Sequence, residues 1–162
     1  MNRRTLIAAL LLLPVAAAAQ GEPDITKAQP ELPKEKLVIV THDGTQHVFM
    51  VEMATSLDQQ TVGLMFRKTV PADGGMLFDW GTAKPSQMWM RNTLVPLDMV
   101  FINADGTIRH IAENTVPRSL AVIDSGGPVR ATLELAAGTT ARLDIRVGDR
   151  VLQRIFGNAA AG

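Results

Sequence analysis

Two Asp-Gly turns, each set between short apolar runs, constrain this chain more than any other feature. Leu37-Val38-Ile39-Val40-Thr41 is β-branched and apolar, Asp43-Gly44 follows, and Val48, Met50 and Glu52 then alternate with Phe49 and Val51. The pattern recurs where Met99-Val100-Phe101-Ile102 and Thr107-Ile108-Arg109-His110-Ile111 flank Asn103-Ala104-Asp105-Gly106. Branched side chains fit the pleated strand, and Asp-Gly supplies the positive φ that a tight hairpin demands. Residues 130–135 alternate Arg, Thr and Glu against Ala, Leu and Leu, as a half-buried strand does. Val147-Gly148-Asp149-Arg150 predicts a turn into a last strand over 151–156. Helical signals are few. Ser56 with Gln59 three residues on spells a capping box, after which Leu57, Thr61, Leu64 and Met65 share one face and the helix stops before Arg67. A shorter turn is expected over 139–143. The fold class predicted is mainly β, an antiparallel sandwich or barrel with one or two short helices.

The N-terminus predicts export. Met1-Asn2-Arg3-Arg4 is a positive start, residues 6–15 are apolar but for Pro14, and alanines fill 16–19. That order is a secretory signal peptide, expected to be cleaved before Gln20 and to place the protein in the periplasm or outside the cell. The run falls short of the ~18 apolar residues of a membrane anchor, so no membrane span is expected after cleavage. Pro23, Pro30 and Pro33 lie among polar residues over 20–36, which predicts a disordered tether. Residues 37–156 form the expected single β-rich domain, and 157–162 a flexible tail.

Composition closes off several chemistries. Lys+Arg and Asp+Glu are both 16, so the chain lacks the basic excess by which nucleic-acid binders neutralise phosphate. Without a cysteine there is no disulfide, thiol nucleophile or thiolate metal site. No phosphate loop, dinucleotide fingerprint or zinc-protease helix is spelled out, so no cofactor is expected.

Four segments in order carry a resemblance. They are Gly63-Leu64-Met65-Phe66-Arg67, Gly75-Met76-Leu77-Phe78, Trp89-Met90-Arg91-Asn92-Thr93 running through Pro96-Leu97-Asp98 to Phe101-Ile102, and Leu133-Glu134-Leu135 with Ala137-Gly138. Together they resemble the bacterial and archaeal family called domain of unknown function 192, over about 48–151. The resemblance implies a compact, mostly β domain, often exported, with no established reaction. Arg91 stands where the family pattern often has lysine, and Met88 where it more usually has an aromatic or polar residue.

Chemical character concentrates between Trp89 and Asp98. On an extended strand Trp89, Arg91 and Thr93 would share a face: an aromatic plate beside a guanidinium and a hydroxyl, as a sugar, carboxylate or peptide pocket requires. Internal pairing is the competing reading, with Arg91 held by Asp98 or Glu134 and Trp89 in the core. Glu134 lies in an otherwise apolar strand and is either solvent-facing or buried against an arginine. The candidate ligand-binding residues are therefore Arg67, Trp89, Arg91, Asn92, Asp98 and Glu134, with no catalytic residue and no metal ligand assigned. They suit a binding module for a small polar or saccharide-like ligand or an envelope partner. An acid–base hydrolase using Asp98 and Glu134, helped by Arg67 or Arg91, is the alternative. A methionine–histidine copper site built from Met88, Met90, His42, His47 and His110 is a further one. Asp124-Ser125-Gly126-Gly127-Pro128 spells most of a serine-protease nucleophile loop, but its simpler reading is a turn.

Overall fold

The computed structural model describes residues 25–159; the expected signal peptide lies outside the described residues. Seven strands form one sheet, in the spatial order β5-β4-β6-β3-β2-β1-β7. They are β1 (Lys34–Val40), β2 (Gln46–Ala54), β3 (Gly74–Met88), β4 (Leu97–Ile102), β5 (Ile108–Ala112), β6 (Ile123–Ala136) and β7 (Arg150–Leu152). Both Asp-Gly turns make the hairpins expected of them, β1–β2 and β4–β5. The sheet curls until its edges meet. Thr107 bridges Arg150, and Val151 N–H donates to the Gly106 carbonyl at 2.7 Å, so β5 and β7 are laced together at one end. The result is a mainly β half-barrel with two short helices.

One pair departs from the antiparallel pattern. β2 and β3 run parallel, and the chain between them crosses over through helix α1 (Leu57–Val62). The predicted capping box forms: Ser56 Oγ accepts from Gln59 N–H, and Gln59 Oε1 accepts from Ser56 N–H at 3.1 Å. The helix is shorter than its apolar spacing implies, because Gly63 at φ +50° ends it. Leu57 is consequently solvent-exposed, while Leu64 and Met65 are buried in the turns that follow.

Strand β3 was not legible as one. Its Gly, Trp-Gly and Lys-Pro pairs interrupt any alternation, and its pairing with β6 shifts register between Asp79 and Lys84. Gly75 is what lets the two strands close. At φ +156° its Cα faces the Glu134 carbonyl oxygen, and any Cβ there would collide with that backbone atom.

Alternate residues of the sheet fill two separate cores. Leu37, Ile39, Phe49, Val51, Leu77, Val100, Leu133 and Val151 lie inside the curl. Met76, Phe78, Met99 and Phe101 face outward and are covered by Leu64, Met90 and the connections around them. Residues 25–33 run against the body: Gln29 Nε2 donates to the Gln59 and Gly63 carbonyls at 3.0 and 2.9 Å, and Leu32 N–H donates to Glu52 Oε2 at 2.8 Å. β1 accordingly begins at Lys34. At the other end Asn158 Nδ2 donates to the Val151 carbonyl at 3.0 Å. No helix among the described residues is long and apolar enough to cross a membrane.

Candidate functional site

The outer core is not sealed. Between α1 and the loop after β3 it opens into a small cleft of about 240 Å³, lined by Gln60, Thr61, Gly63, Leu64, Met65, Phe78, Trp80, Gln87, Met88, Trp89, Arg91, Thr93 and Glu134. Trp89 is 39% exposed at its rim, and the Arg91 guanidinium carbon lies 5.4 Å from that ring's centre. Trp80 stacks on Phe78 at 5.7 Å, donates its indole N–H to Thr132 Oγ1 at 3.2 Å, and carries Lys84 Nζ 5.2 Å above its ring.

Glu134 supplies the unusual group. Register places it beside Met76 of β3 and Met99 of β4, both fully buried. It is only 4% exposed, and no hydrogen bond from a described residue reaches its carboxylate. Burial in this apolar setting pushes its pKa up to about 8, so the carboxyl is a neutral acid at pH 7. Buried carboxyl groups are ordinarily bonded. One that is not, and that lines an open cleft, has an O–H and a carbonyl to offer an incoming molecule.

The remaining predicted residues scatter. The extended segment expected over Trp89–Thr93 is a loop, with Asn92 left-handed at φ +55°. Thr93 is largely buried yet lines the same cleft as Trp89 and Arg91, and Met90 is wholly enclosed, its sulfur accepting from Thr115 Oγ1 at 3.1 Å. Asn92 shapes the turn: its carbonyl accepts from Phe66 N–H at 2.9 Å. The left-handed turn, which an asparagine tolerates, is why a strand pattern misplaced these side chains.

Asp98 belongs to the architecture. It is completely buried, yet no arginine bonds it. Oδ1 accepts from Asn114 N–H and Gly138 N–H at 3.0 and 3.1 Å, and Oδ2 accepts from Thr140 N–H and Thr140 Oγ1 at 2.9 and 2.8 Å. The loop after β5 and the start of helix α2 (Thr139–Arg142) are thereby tied to β4. Asp98 pairs with Leu135 across the ladder while Glu134 pairs with Met99, so the two carboxyls point to opposite faces of the sheet. The acid–base pair of the hydrolase reading is therefore not formed, and neither is the expected Arg91–Asp98 pair.

Arg67 stands in a separate cavity of about 390 Å³, together with Lys34, Glu52, Lys68 and Asp73. It bonds Glu52 at 2.9 Å, a partner that sequence reasoning missed because Glu52 reads as one polar position of an alternating strand. Glu52 is nearly buried and also accepts from Leu32 N–H. Arg67→Ala would leave that carboxylate with one bond. The expected loss is about 2 kcal/mol, below the full cost for a deeply buried pair because the arginine is partly solvated. Urea unfolding of the variant measures it, and a midpoint equal to the wild type would contradict the assignment.

The methionine–histidine reading loses its geometry as well. Met90 is enclosed, while His42 is exposed in the turn after β1 and His110 is exposed in the middle of β5, where it stacks on Phe101 at 5.7 Å. Among the described residues no group of three or more His, Asp or Glu is placed to hold a metal. The turn expected over Asp124–Pro128 lies instead within β6, where the ladder with β3 shifts register between Pro85 and Gln87; Ser125 is buried there, donating to the Gly127 carbonyl at 2.7 Å and accepting from Ser86 N–H at 2.9 Å.

Comparison with known proteins agrees with the resemblance read from the four segments. A crystal structure of a candidate transcription regulator from Sinorhizobium meliloti 1021 is similar at 47% identity and a TM-score of 0.76, over 79% of this chain and 99% of that one. A crystal structure of a protein of unknown function from Novosphingobium aromaticivorans DSM 12444 is similar at 35% identity and a TM-score of 0.73, over 78% of this chain and 91% of that one. Comparison with curated proteins found no match. The profile of domain of unknown function 192 (DUF192), described as an uncharacterised ACR, matches residues 38–153, and the chain belongs to that family.

Proposed function

We propose that this protein is an exported binding module that takes a small polar, saccharide-like ligand into the cleft between Trp80, Trp89 and Glu134. Export rests on the tripartite N-terminal sequence, an address rather than a part of the fold. One observation carries the binding reading: Glu134 is 4% exposed, without a hydrogen bond from any described residue, and lines an open cleft with two indoles. A buried polar group left unbonded costs stability, and a ligand that bonds it removes that cost. The Trp89 ring provides a flat apolar plate for a sugar face. The cleft is smaller than the ~300–1,000 Å³ of drug-sized sites, which suits a ligand of monosaccharide size.

Binding is favoured over catalysis because the carboxyl stands alone. General acid–base hydrolysis of a glycoside needs two carboxyl groups facing one bond, and Asp98 is committed to four bonds on the other face of the sheet. Thermal melts with millimolar glucose, galactose, N-acetylglucosamine and glucuronate test the reading. At least one sugar is expected to raise the wild-type melting temperature by a few degrees and to leave Trp89→Ala unmoved, since only native-state binding stabilises. No shift with any sugar, or equal shifts in both proteins, would overturn it.

A further inference from the structure

The cavity of Arg67 lies on the other side of Leu64, the one residue that it shares with the cleft of Trp89 and Glu134. It holds about 390 Å³ between the face of β1 and β2 that carries Lys34, Met50 and Glu52 and the segment linking α1 to β3. Backbone bonds pin that segment. Arg67 N–H donates to the Leu64 carbonyl at 3.2 Å, Gly74 N–H to the Pro71 carbonyl at 3.1 Å, and Met50 N–H to the Asp73 carbonyl at 2.9 Å. The ion pair lining the cavity is incompletely bonded. Arg67 uses only Nη2, on Glu52 Oε2 at 2.9 Å and on the Pro30 carbonyl at 3.4 Å. Its Nε is buried with no partner, the one such side-chain atom among the described residues. The Glu52 side chain is 9% exposed, and both of its bonds, from Leu32 N–H and Arg67, fall on Oε2. Arginine and carboxylate frequently meet through two parallel bonds. Here one bond leaves guanidinium donors and the second carboxylate oxygen unused.

Two exposed charges of opposite sign line the same cavity. Lys68 and Asp73 each lack an ion-pair partner among the described residues, whereas Lys34 is paired with Glu31 at 3.1 Å. The lining thus balances Lys34, Arg67 and Lys68 against Glu31, Glu52 and Asp73. A ligand with a single charge would be drawn by one half of this set and repelled by the other. A neutral ligand would leave Lys68 and Asp73 unmatched. A ligand carrying both charges close together meets both halves. We propose that this cavity is a second binding site, for a free α-amino acid with an apolar side chain, its carboxylate toward Lys68 and Arg67 and its ammonium toward Glu52 Oε1 and Asp73. Met50, Leu64 and Val70 supply an apolar wall for the side chain. The cavity is at the lower end of the ~300–1,000 Å³ typical of small-molecule sites, as a ligand of this size requires. The site stands apart from the sugar cleft and does not depend on it.

Calorimetric titration of the full chain with L-leucine, N-acetyl-L-leucine and L-leucinamide tests this. The acetylated compound lacks the ammonium and the amide lacks the carboxylate, while the side chain stays the same. Leucine is expected to bind, and each analogue to bind at least about tenfold more weakly, the equivalent of one hydrogen bond to a charged group. Lys68→Ala and Asp73→Ala change exposed side chains that bond nothing in the fold, and each should weaken leucine binding by a similar factor. Trp89→Ala should bind leucine as the wild type does. No binding of leucine, or an affinity for either analogue equal to that for leucine, would overturn the inference. Leucine binding unchanged by both Lys68→Ala and Asp73→Ala would overturn it as well, and so would its loss in Trp89→Ala, which would put leucine in the sugar cleft. The sugar melts are read separately, so either site can fail while the other stands.

Discussion

Glu134→Gln is expected to stabilise the protein by about 4 kcal/mol more at pH 9 than at pH 4, the largest pH-dependent effect that any single residue here should show. The sign follows from where the proton sits. The ordinary carboxyl value is 4.5, and burial raises that of Glu134 in the folded protein to about 8. Below 4.5 both states hold the proton and the group's contribution does not change with pH. Between 4.5 and 8 the folded state keeps the proton and the unfolded chain releases it, so wild-type stability falls as pH rises. Above 8 the loss is complete. Glutamine has no proton to release and removes the whole dependence. Comparing the two pH values cancels the fixed cost of burying an amide. Urea unfolding of both proteins at pH 4, 7 and 9 measures the difference, and parallel stability curves would contradict it.

Asp98→Ala should be the most damaging single change near the site, costing about 3–5 kcal/mol. The carboxylate is fully buried and gathers three backbone N–H groups and one hydroxyl from two separate loops. Alanine strands the three backbone donors at once, while the Thr140 hydroxyl keeps Glu113 Oε1 as an acceptor at 3.1 Å, and a buried donor without a partner costs ~1–3 kcal/mol before relaxation lets water in. Asp98→Asn keeps one acceptor oxygen and should fall between the two. Because Asp98 lies on the opposite face from the cleft, sugar binding by folded Asp98→Asn should match the wild type. Chemical denaturation gives the stability, and a loss under 1 kcal/mol for the alanine variant would mean that the loops are held by other contacts.

These two carboxyls show what the sequence could and could not reveal. Local signals with a fixed chemistry were readable: both Asp-Gly hairpins, the Ser56–Gln59 capping box and a strand over 130–135 all formed, although that strand is buried on both faces rather than the one its alternation predicts. β3 was not, because its glycines and proline hide a strand that pairs through a shifted register. Glu134 stood out as a carboxyl in an apolar strand, but its environment depends on Met76 and Met99, which two other strands bring alongside. Asp98 carries no mark distinguishing a carboxylate bonded by amides from one bonded by an arginine. Its donors come from up to 42 positions along the chain. Trp89 and Arg91 were joined correctly, through adjacency alone, whereas Arg67 went to Glu52 because the crossover from β2 to β3 carries it there. The site was legible where neighbours in sequence are neighbours in space, and illegible where the sheet order makes the contact.

Selective labelling of the glutamate side-chain carboxyl carbons, with Glu134 assigned by comparison with Glu134→Gln, allows its titration to be followed directly by NMR. The account predicts a midpoint near 8 in the free protein, because burial in an apolar setting disfavours the carboxylate. A midpoint in the ordinary carboxylate range would contradict it.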